Sequence, residues 1–483
     1  MLKKNILYNT ILQISQLLFP LITFPYAARI LQPAALGSVN FASDFTQYFI
    51  TFSMLGIPVY GIREIAKVAE NPIQLKQTFS ELFYFNIITT LAISIIFLTT
   101  TICIPTLQSD FTLFLIGFGI LWSNLFFIEW YFNGIQEFKY ITIRSLIIRS
   151  ISVILIFSLI KSPEDKNLYY LIELIVIAIS AICNFTKARH LLILNYRAIN
   201  IKKHLVPILT IFSLNVMITI YVYANTIILG FFKPKTEVAY YGVSERISKL
   251  AIAFIKTSGV VLLPQLSLLL GKKSNEDQEK AIDLLKKSYY FTIFLSIPIS
   301  FGAFIFSKEL IELIAGVDYQ AANLSLKILS PLPIILGLAF IYSRQILFPL
   351  GKEKQMFKLS VWGMIFNLSI NFILIPRYGY IGSSITYLLT EMLMVSLVFW
   401  ESRKYLKIHV QLSDAIKSVT ISLLFIPVHL ILGYTNTSAT FILLLGIPIC
   451  GLIYCGIQLW VFKNSIAIEL YQFICNKLFQ KSI

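Results

Sequence analysis

Arg344-Gln-Ile-Leu-Phe-Pro-Leu-Gly351-Lys-Glu-Lys-Gln-Met-Phe-Lys358 ends one long apolar run of this chain, and Glu129-Trp-Tyr-Phe-Asn-Gly134-Ile-Gln-Glu-Phe-Lys139 ends another. Each presents an ionisable side chain inside the apolar stretch, then a glycine, then a short polar turn that closes on Phe-Lys. The two charges are 215 positions apart (344 less 129), and the surrounding pattern recurs in the same order. Tyr169-Tyr-Leu-Ile-Glu173 is echoed by Tyr387-Leu-Leu-Thr-Glu391, and Leu31-Gln-Pro33 before Gly37 by Phe232-Lys-Pro234 before Gly242. Membrane helices draw on a small alphabet, so no single match decides; the common order and spacing predict a tandem duplication. Six helices per copy leave both copies in one orientation, which predicts parallel repeats about an axis along the membrane normal, with a central cavity between the bundles.

That the runs are membrane helices follows from composition. Of 483 residues 57% are apolar and 13% charged, and the mean hydropathy is +0.78, against about 45–50% apolar and 25% charged in soluble domains. Apolar stretches of roughly 17–25 residues number about fourteen, or twelve if 142–160 and 418–433 are set aside. Among them are 8–30, 37–62, 208–232, 242–270, 328–350, 359–376 and 381–400. The runs are continuously apolar rather than alternating, which predicts helices. The expected fold class is an all-α polytopic membrane protein of 12 to 14 transmembrane helices, two parallel six-helix bundles plus two C-terminal helices. Its parts are an N-terminal bundle at 1–186, a basic cytoplasmic linker at 187–207, a C-terminal bundle at 208–403, and two additional helices with a cytoplasmic tail at 404–483. The run after Lys3 and Lys4 continues past Pro20 and Pro25 without a convincing cleavage site and reads as a retained first helix.

The formal charge is +16, but the basic residues lie in short loops rather than on one soluble face, so no nucleic-acid partner is expected. With the amino terminus inside, most of the 40 Lys and Arg fall on inner loops and tails, which places both termini in the cytoplasm. Cys103, Cys183, Cys450, Cys455 and Cys475 form no CxxC and have no histidine at metal spacing, so neither a metal site nor a redox pair is expected. His190 and His204 fall in the basic linker and read as solvated; His429 reads as a packing residue. No P-loop is present, which argues against direct use of ATP.

A charge at bilayer depth costs about 3 kcal/mol or more unless it faces water or a partner. Lys256, Arg344 and Glu391, with Arg29, Asp44, Glu129, Arg149 and Glu173 in the earlier half, therefore imply a polar interior. A structural reading stands beside the functional one: Glu129 with Arg149, and Glu391 with Arg344, are candidate neutralising pairs that fix helix packing. Arg29 and Glu173 lie near a surface, where long side chains snorkel. Pro20, Pro25, Pro331 and Pro333 remove backbone donors within spans and mark bends, static or gating.

Phe24-Pro-Tyr-Ala-Ala-Arg29-Ile-Leu-Gln-Pro33-Ala-Ala-Leu-Gly37-Ser-Val-Asn-Phe-Ala42-Ser-Asp44, with Leu55-Gly-Ile-Pro-Val-Tyr-Gly61-Ile-Arg-Glu64-Ile-Ala-Lys67, resembles the start of Wzx-type polysaccharide flippases. These belong to the multidrug/oligosaccharidyl-lipid/polysaccharide exporter superfamily, and the resemblance covers essentially the whole chain. It implies a central cavity that opens alternately to each face and moves undecaprenyl-diphosphate-linked oligosaccharide repeat units from the inner to the outer leaflet of the bacterial cytoplasmic membrane. The product would feed O-antigen or capsule synthesis and pass to a polysaccharide polymerase. The family's cationic lumen is matched by depth at Arg29, Arg149, Lys256 and Arg344, the expected substrate-binding set. Asp44, Glu129, Glu173 and Glu391 are candidates for H+ or Na+ coupling, with no other cofactor expected. Fourteen spans rather than twelve is closer to the related lipid II flippases.

The chemistry fits that implication. A diphosphate and a hydrated glycan cross a layer in which each unsatisfied polar group costs several kcal/mol, and a water-filled cationic cavity removes most of that cost. Arg donates to phosphate in pairs and Lys acts as a mobile point charge. Trp122, Trp130 and Tyr131 offer either sugar-stacking faces or an interfacial belt. The alternatives are a lipid II flippase, separable only by substrate, and a multidrug cation antiporter, which would favour an acidic cavity where these deep charges lean basic. A polymerase or ligase would carry a large external loop with catalytic residues, and this chain has none, so no enzymatic activity is expected.

Overall fold

The computed structural model describes residues 2–193, 200–260, 262–271, 274–408, 411–434, 438–469 and 471–472. Among them every regular element is helical. The chain divides into two compact units, Met1–Gly242 and Val243–Ile483. The first holds α1 (Leu2–Met54), α2 (Ile57–Val68), α3 (Pro72–Cys103), α4 (Pro105–Gln108), α5 (Phe111–Phe127), α6 (Glu129–Gly134), α7 (Phe138–Leu159), α8 (Lys166–Ala188), α9 (Lys202–Phe232) and the start of α10 (Lys235–Val260). The second holds the rest of α10 and α11 (Leu263–Gly271), α12 (Asn275–Ile305), α13 (Ser307–Ile314), α14 (Ala322–Leu329), α15 (Leu332–Phe340), α16 (Glu353–Ser402), α17 (Ser413–Ser422), α18 (Phe425–Tyr434) and α19 (Ala439–Gly456). α9 therefore belongs to the first compact unit.

Ten helical stretches among the described residues are long and apolar enough to cross a membrane. Two are far longer than the ~20 residues a crossing needs: Leu7–Val68 at 62 and Glu353–Ser402 at 50. α1 breaks at Gln32 (φ 60°, ψ 169°), the residue before Pro33, whose ring disfavours helical geometry in its predecessor. α16 breaks at Gly379 (φ 56°, ψ −131°), a region that glycine enters without a Cβ penalty. Splitting both brings the count to twelve among the described residues, and α9 adds a shorter apolar stretch, Thr219–Phe232. The run expected at 242–270 ends earlier, with α10 closing at Val260 and α11 starting at Leu263.

The prolines behave differently from one another. Pro20 and Pro25 sit inside α1 without breaking it, whereas Pro331 precedes α15 and Pro333 occupies its first turn, where a missing N–H costs nothing. The bend in α1 therefore comes from Pro33, which separates the first two spans.

Close helix approach explains the recurring glycines. A Cβ on Gly37 would lie 1.7 Å from the Lys235 carbonyl oxygen, and one on Gly242 would lie 2.9 Å from the Asn40 side chain, so α1 and α10 meet through small residues from both sides. A Cβ on Gly61 would meet the Trp130 ring at 2.7 Å and one on Gly134 would meet Ile65 at 2.6 Å, which locks α2 onto α6. Gly351, by contrast, has open space around it and a φ of 68°, so there the turn needs glycine for its backbone. In the turn after α6 Gln136 takes the positive φ of 60° and Gly134 serves packing.

Within the second unit, α19 packs on α12, where the Tyr454 hydroxyl donates to the Phe294 carbonyl at 2.9 Å and Gln458 bonds Ser418 of α17 at 3.0 Å. His429 packs against the Phe306 ring and meets Glu309 Oε1 at 3.0 Å, as a packing residue would. His190 is exposed, but His204 is not solvated: it is 3% exposed, accepts or donates to the Tyr60 hydroxyl at 2.8 Å through Nδ1, and meets Glu81 Oε2 at 2.9 Å through Nε2. Glu81 is itself fully buried and draws the start of α9 onto α3, holding Lys203 Nζ at 2.6 Å and the Asn200 N–H at 3.2 Å. Cys475 lies outside the described residues; the other four cysteines are free thiols, and no metal-holding group occurs among the described residues.

Candidate functional site

In the second unit three elements bring Lys256, Arg344 and Glu391 together. Lys256 stands four residues from the end of α10, where it feels the attraction of Glu391 and the repulsion of Arg344. Arg344 lies in a π-helical turn, Ile341–Leu347, that follows α15. Such turns cluster at functional sites because the widened backbone re-aims side chains. Its neighbour Gln345, fully buried, donates to the Gly259 carbonyl at 2.9 Å and ties the turn to the end of α10. Arg344 itself remains exposed, its guanidinium 5.7 Å from the Phe348 ring centre.

Glu391 is 5% exposed on the second half of α16. A buried amide chain crosses the Gly379 break beside it: Asn371 donates to Asn367 at 2.9 Å, and Asn367 donates to the Thr390 hydroxyl at 3.0 Å. Polar chains of this kind fix a unique helix phase, since a partly satisfied one is costly in a low-dielectric interior. Lys256 thus lies within electrostatic reach of both a buried carboxylate and a second cation. Lys256 is half-buried and Arg344 exposed, so the two cations differ in their access to solvent.

The first unit arranges its charges otherwise. Glu129 opens α6 just after Ile128, which adopts a left-handed φ of 30°, and its Oε1 accepts from Arg144 Nη2 at 3.1 Å. The partner expected from sequence was Arg149; the break at Ile128 turns Glu129 toward the first turns of α7 instead. Arg144 also donates to Asn184 and packs over the Phe127 ring at 5.4 Å. Arg149 is half-buried and close enough to feel both Glu129 and Arg144. Asp44 and Glu173 both act on the fully buried Tyr170, which joins α8 to α1. Glu173 is exposed where Glu391 is buried, so the two glutamates matched by sequence have different surroundings. Arg29 is exposed on α1.

Trp130 and Tyr131 offer no sugar-stacking face: they are 3% and 6% exposed and pack on the Phe79 ring at 5.6 and 5.1 Å. Trp122 is half-buried. Sequence reasoning also passed over Arg144, Asn184, Gln345, Asn367 and Asn371. Arg144 and the Asn367/Asn371 pair were visible as polar residues inside apolar runs, the latter one helical turn apart.

The family model described as polysaccharide biosynthesis protein matches residues 2–270, over half of the chain. The chain belongs to this polysaccharide biosynthesis protein family. A protein of Escherichia coli (strain K12) named "Putative O-antigen transporter" is 25% identical over 401 residues, which cover 82% of this chain and 95% of that protein. Among solved structures the fold is similar to the lipid II flippase MurJ in an inward closed conformation, with a TM-score of 0.75 at 16% identity over 95% of this chain and 100% of that one. It is also similar to an inward-facing multidrug resistance MATE family transporter of the MOP superfamily, with a TM-score of 0.63 at 14% identity over 80% and 94% of the two chains. This family member therefore has a multi-pass helical membrane fold similar to those of the MurJ and MATE structures.

Proposed function

We propose that the protein is a flippase that moves polyprenyl-diphosphate-linked oligosaccharide repeat units from the inner to the outer leaflet of a bacterial cytoplasmic membrane, with undecaprenol as the carrier. The observation that carries this reading is the Lys256, Arg344 and Glu391 cluster, in which Lys256 lies within electrostatic reach of a second cation and of one carboxylate in the second helical unit. Such a surface suits a diphosphate: Arg344 offers a paired donor and Lys256 a point charge. An organic cation would meet net repulsion there, which sets the multidrug reading behind the flippase one. The name of the Escherichia coli relative supports O-antigen as the product class, and a downstream polymerase is the partner this chemistry requires.

In this reading a water-filled cationic cavity opens to each face in turn while the polyprenyl chain stays in lipid. An interior-negative potential favours outward movement of each negative charge by about 2.3 kcal/mol per 100 mV. Asp44 and Glu173 beside Tyr170, and Glu391 beside Lys256, are the acids best placed to add H+ or Na+ coupling; Glu129 is occupied by Arg144. The termini and the linker after Lys187 face the cytoplasm. The test is complementation of a host that lacks its own repeat-unit flippase: restored surface polymer supports the reading, and continued accumulation of inner-leaflet lipid-linked units with the protein present in the membrane refutes it.

A further inference from the structure

At one end of the first unit a cavity of about 650 Å³ opens between the start of α1, the turn before α7 and the end of α8. Four basic side chains line it, Lys4, Lys139, Arg144 and Lys187, against one carboxylate, Glu137. Lys187 pairs with Glu137 and stands 4.0 Å over the Tyr140 ring, while Arg144 lies 5.8 Å from the same ring. Two cations are thus held in place by an aromatic wall, and Lys4 and Lys139, both exposed, close no ion pair among the described residues. Tyr8 completes the wall, and its carbonyl accepts from Thr142 at 3.0 Å, which fixes α1 against α7. The cavity therefore carries two positive charges, on Lys4 and Lys139, that no group among the described residues pairs, since Lys187 is held by Glu137 and Arg144 by Glu129.

The surface that leads away from it is apolar. Ile143 lines the cavity and is 43% exposed, and Ile147, Ile151 and Ile154 continue one exposed row along α7 at 56%, 47% and 66%. A soluble anion would gain nothing from that row, whereas a chain-bearing one would use both parts. We propose that this cavity binds the anionic phosphate of a lipid, with the lipid's chain laid along the isoleucine row of α7. Basic cavities at the ends of membrane helices recognise headgroups through this combination of charge and depth. The proposal goes beyond the transport reading and depends on it only for which leaflet supplies the lipid. Two sources carry the same chemistry, an anionic membrane phospholipid and the polyprenyl phosphate carrier.

The test uses the purified full chain in detergent, with native mass spectrometry reading bound phosphatidylglycerol, phosphatidylethanolamine and undecaprenyl phosphate. Lys4→Gln with Lys139→Gln removes two charges that hold no ion pair; an unchanged melting temperature verifies the fold. At roughly fivefold per basic group, retention of the anionic lipid falls about 25-fold, and phosphatidylethanolamine retention stays the same. A second variant, Ile147→Gln with Ile151→Gln, weakens the same lipid through the chain row. Loss of phosphatidylglycerol assigns the site to membrane lipid, and loss of undecaprenyl phosphate alone assigns it to the carrier. Equal binding of phosphatidylglycerol, undecaprenyl phosphate and phosphatidylethanolamine by the native chain, or undiminished anionic-lipid binding by the double lysine variant, overturns the proposal. Because binding is read without export, its failure is separate from failure of the flippase reading.

Discussion

Arg144 donates to Glu129 at 3.1 Å across the α6–α7 turn, while Arg149, five residues further along α7, closes no ion pair with it. One arginine is thereby committed to structure and the other left available. Arg144→Ala strands a largely buried carboxylate and the Asn184 amide, and such a loss costs about 3 kcal/mol or more. The expected result is a clear fall in thermal stability of the detergent-solubilised protein, with Arg149→Ala close to native. Equal stability of both variants would contradict this division of roles.

Gly37 and Gly302 give an opposed pair of substitutions. Gly37→Ala forces a methyl group into the Lys235 carbonyl, and overpacking of this kind costs about 1–3 kcal/mol. Gly302 on α12 has open space around it, so Gly302→Ala leaves stability unchanged or raises it by roughly 0.5–1 kcal/mol through helix propensity. Membrane yield and melting temperature of the two variants check the contrast.

Burial holds the His204 imidazole below its ordinary range, partly offset by Glu81, while Lys203 opposes protonation. Because its folded pKa is depressed, the contribution of His204 to stability is present above the unfolded value near pH 6.5 and is lost as pH falls through the lower folded value. Protection from hydrogen exchange at the start of α9, taken relative to the intrinsic exchange rate at each pH, should therefore fall as the imidazole is protonated on acidification. In His204→Gln, which has no such titration, that protection should stay constant over the same interval.

The orientation proposed from charge asymmetry is checked by cysteine labelling in intact cells. A cysteine at Asn200 should resist a membrane-impermeant reagent and one at Glu164 should react. The reverse pattern would invert the topology.

Much of the fold was legible because apolar run length and the Gly37, Gly134 and Gly351 patterns are local signals. Gln32 and Gly379, where merged helices break, could be read from Pro33 and from the gap between spans. The pairing of Glu129 was not legible, since it depends on the left-handed turn at Ile128, which an isoleucine does not announce. His204 was misread as solvated because its partners, Tyr60 and Glu81, lie more than 120 positions away in sequence. The convergence of Lys256, Arg344 and Glu391 rests on the π-helical turn and on the Gln345–Gly259 bond, neither of which has a sequence signature.

The central claim is that Lys256 and Arg344 engage the diphosphate. Its most direct measurement is surface polysaccharide in cells that carry Lys256→Ala, Arg344→Ala, Lys256→Arg or Arg344→Lys at equal membrane protein level. The account predicts loss of polymer with each alanine and partial retention with each charge-preserving change. Normal polymer export with alanine at both positions would contradict it.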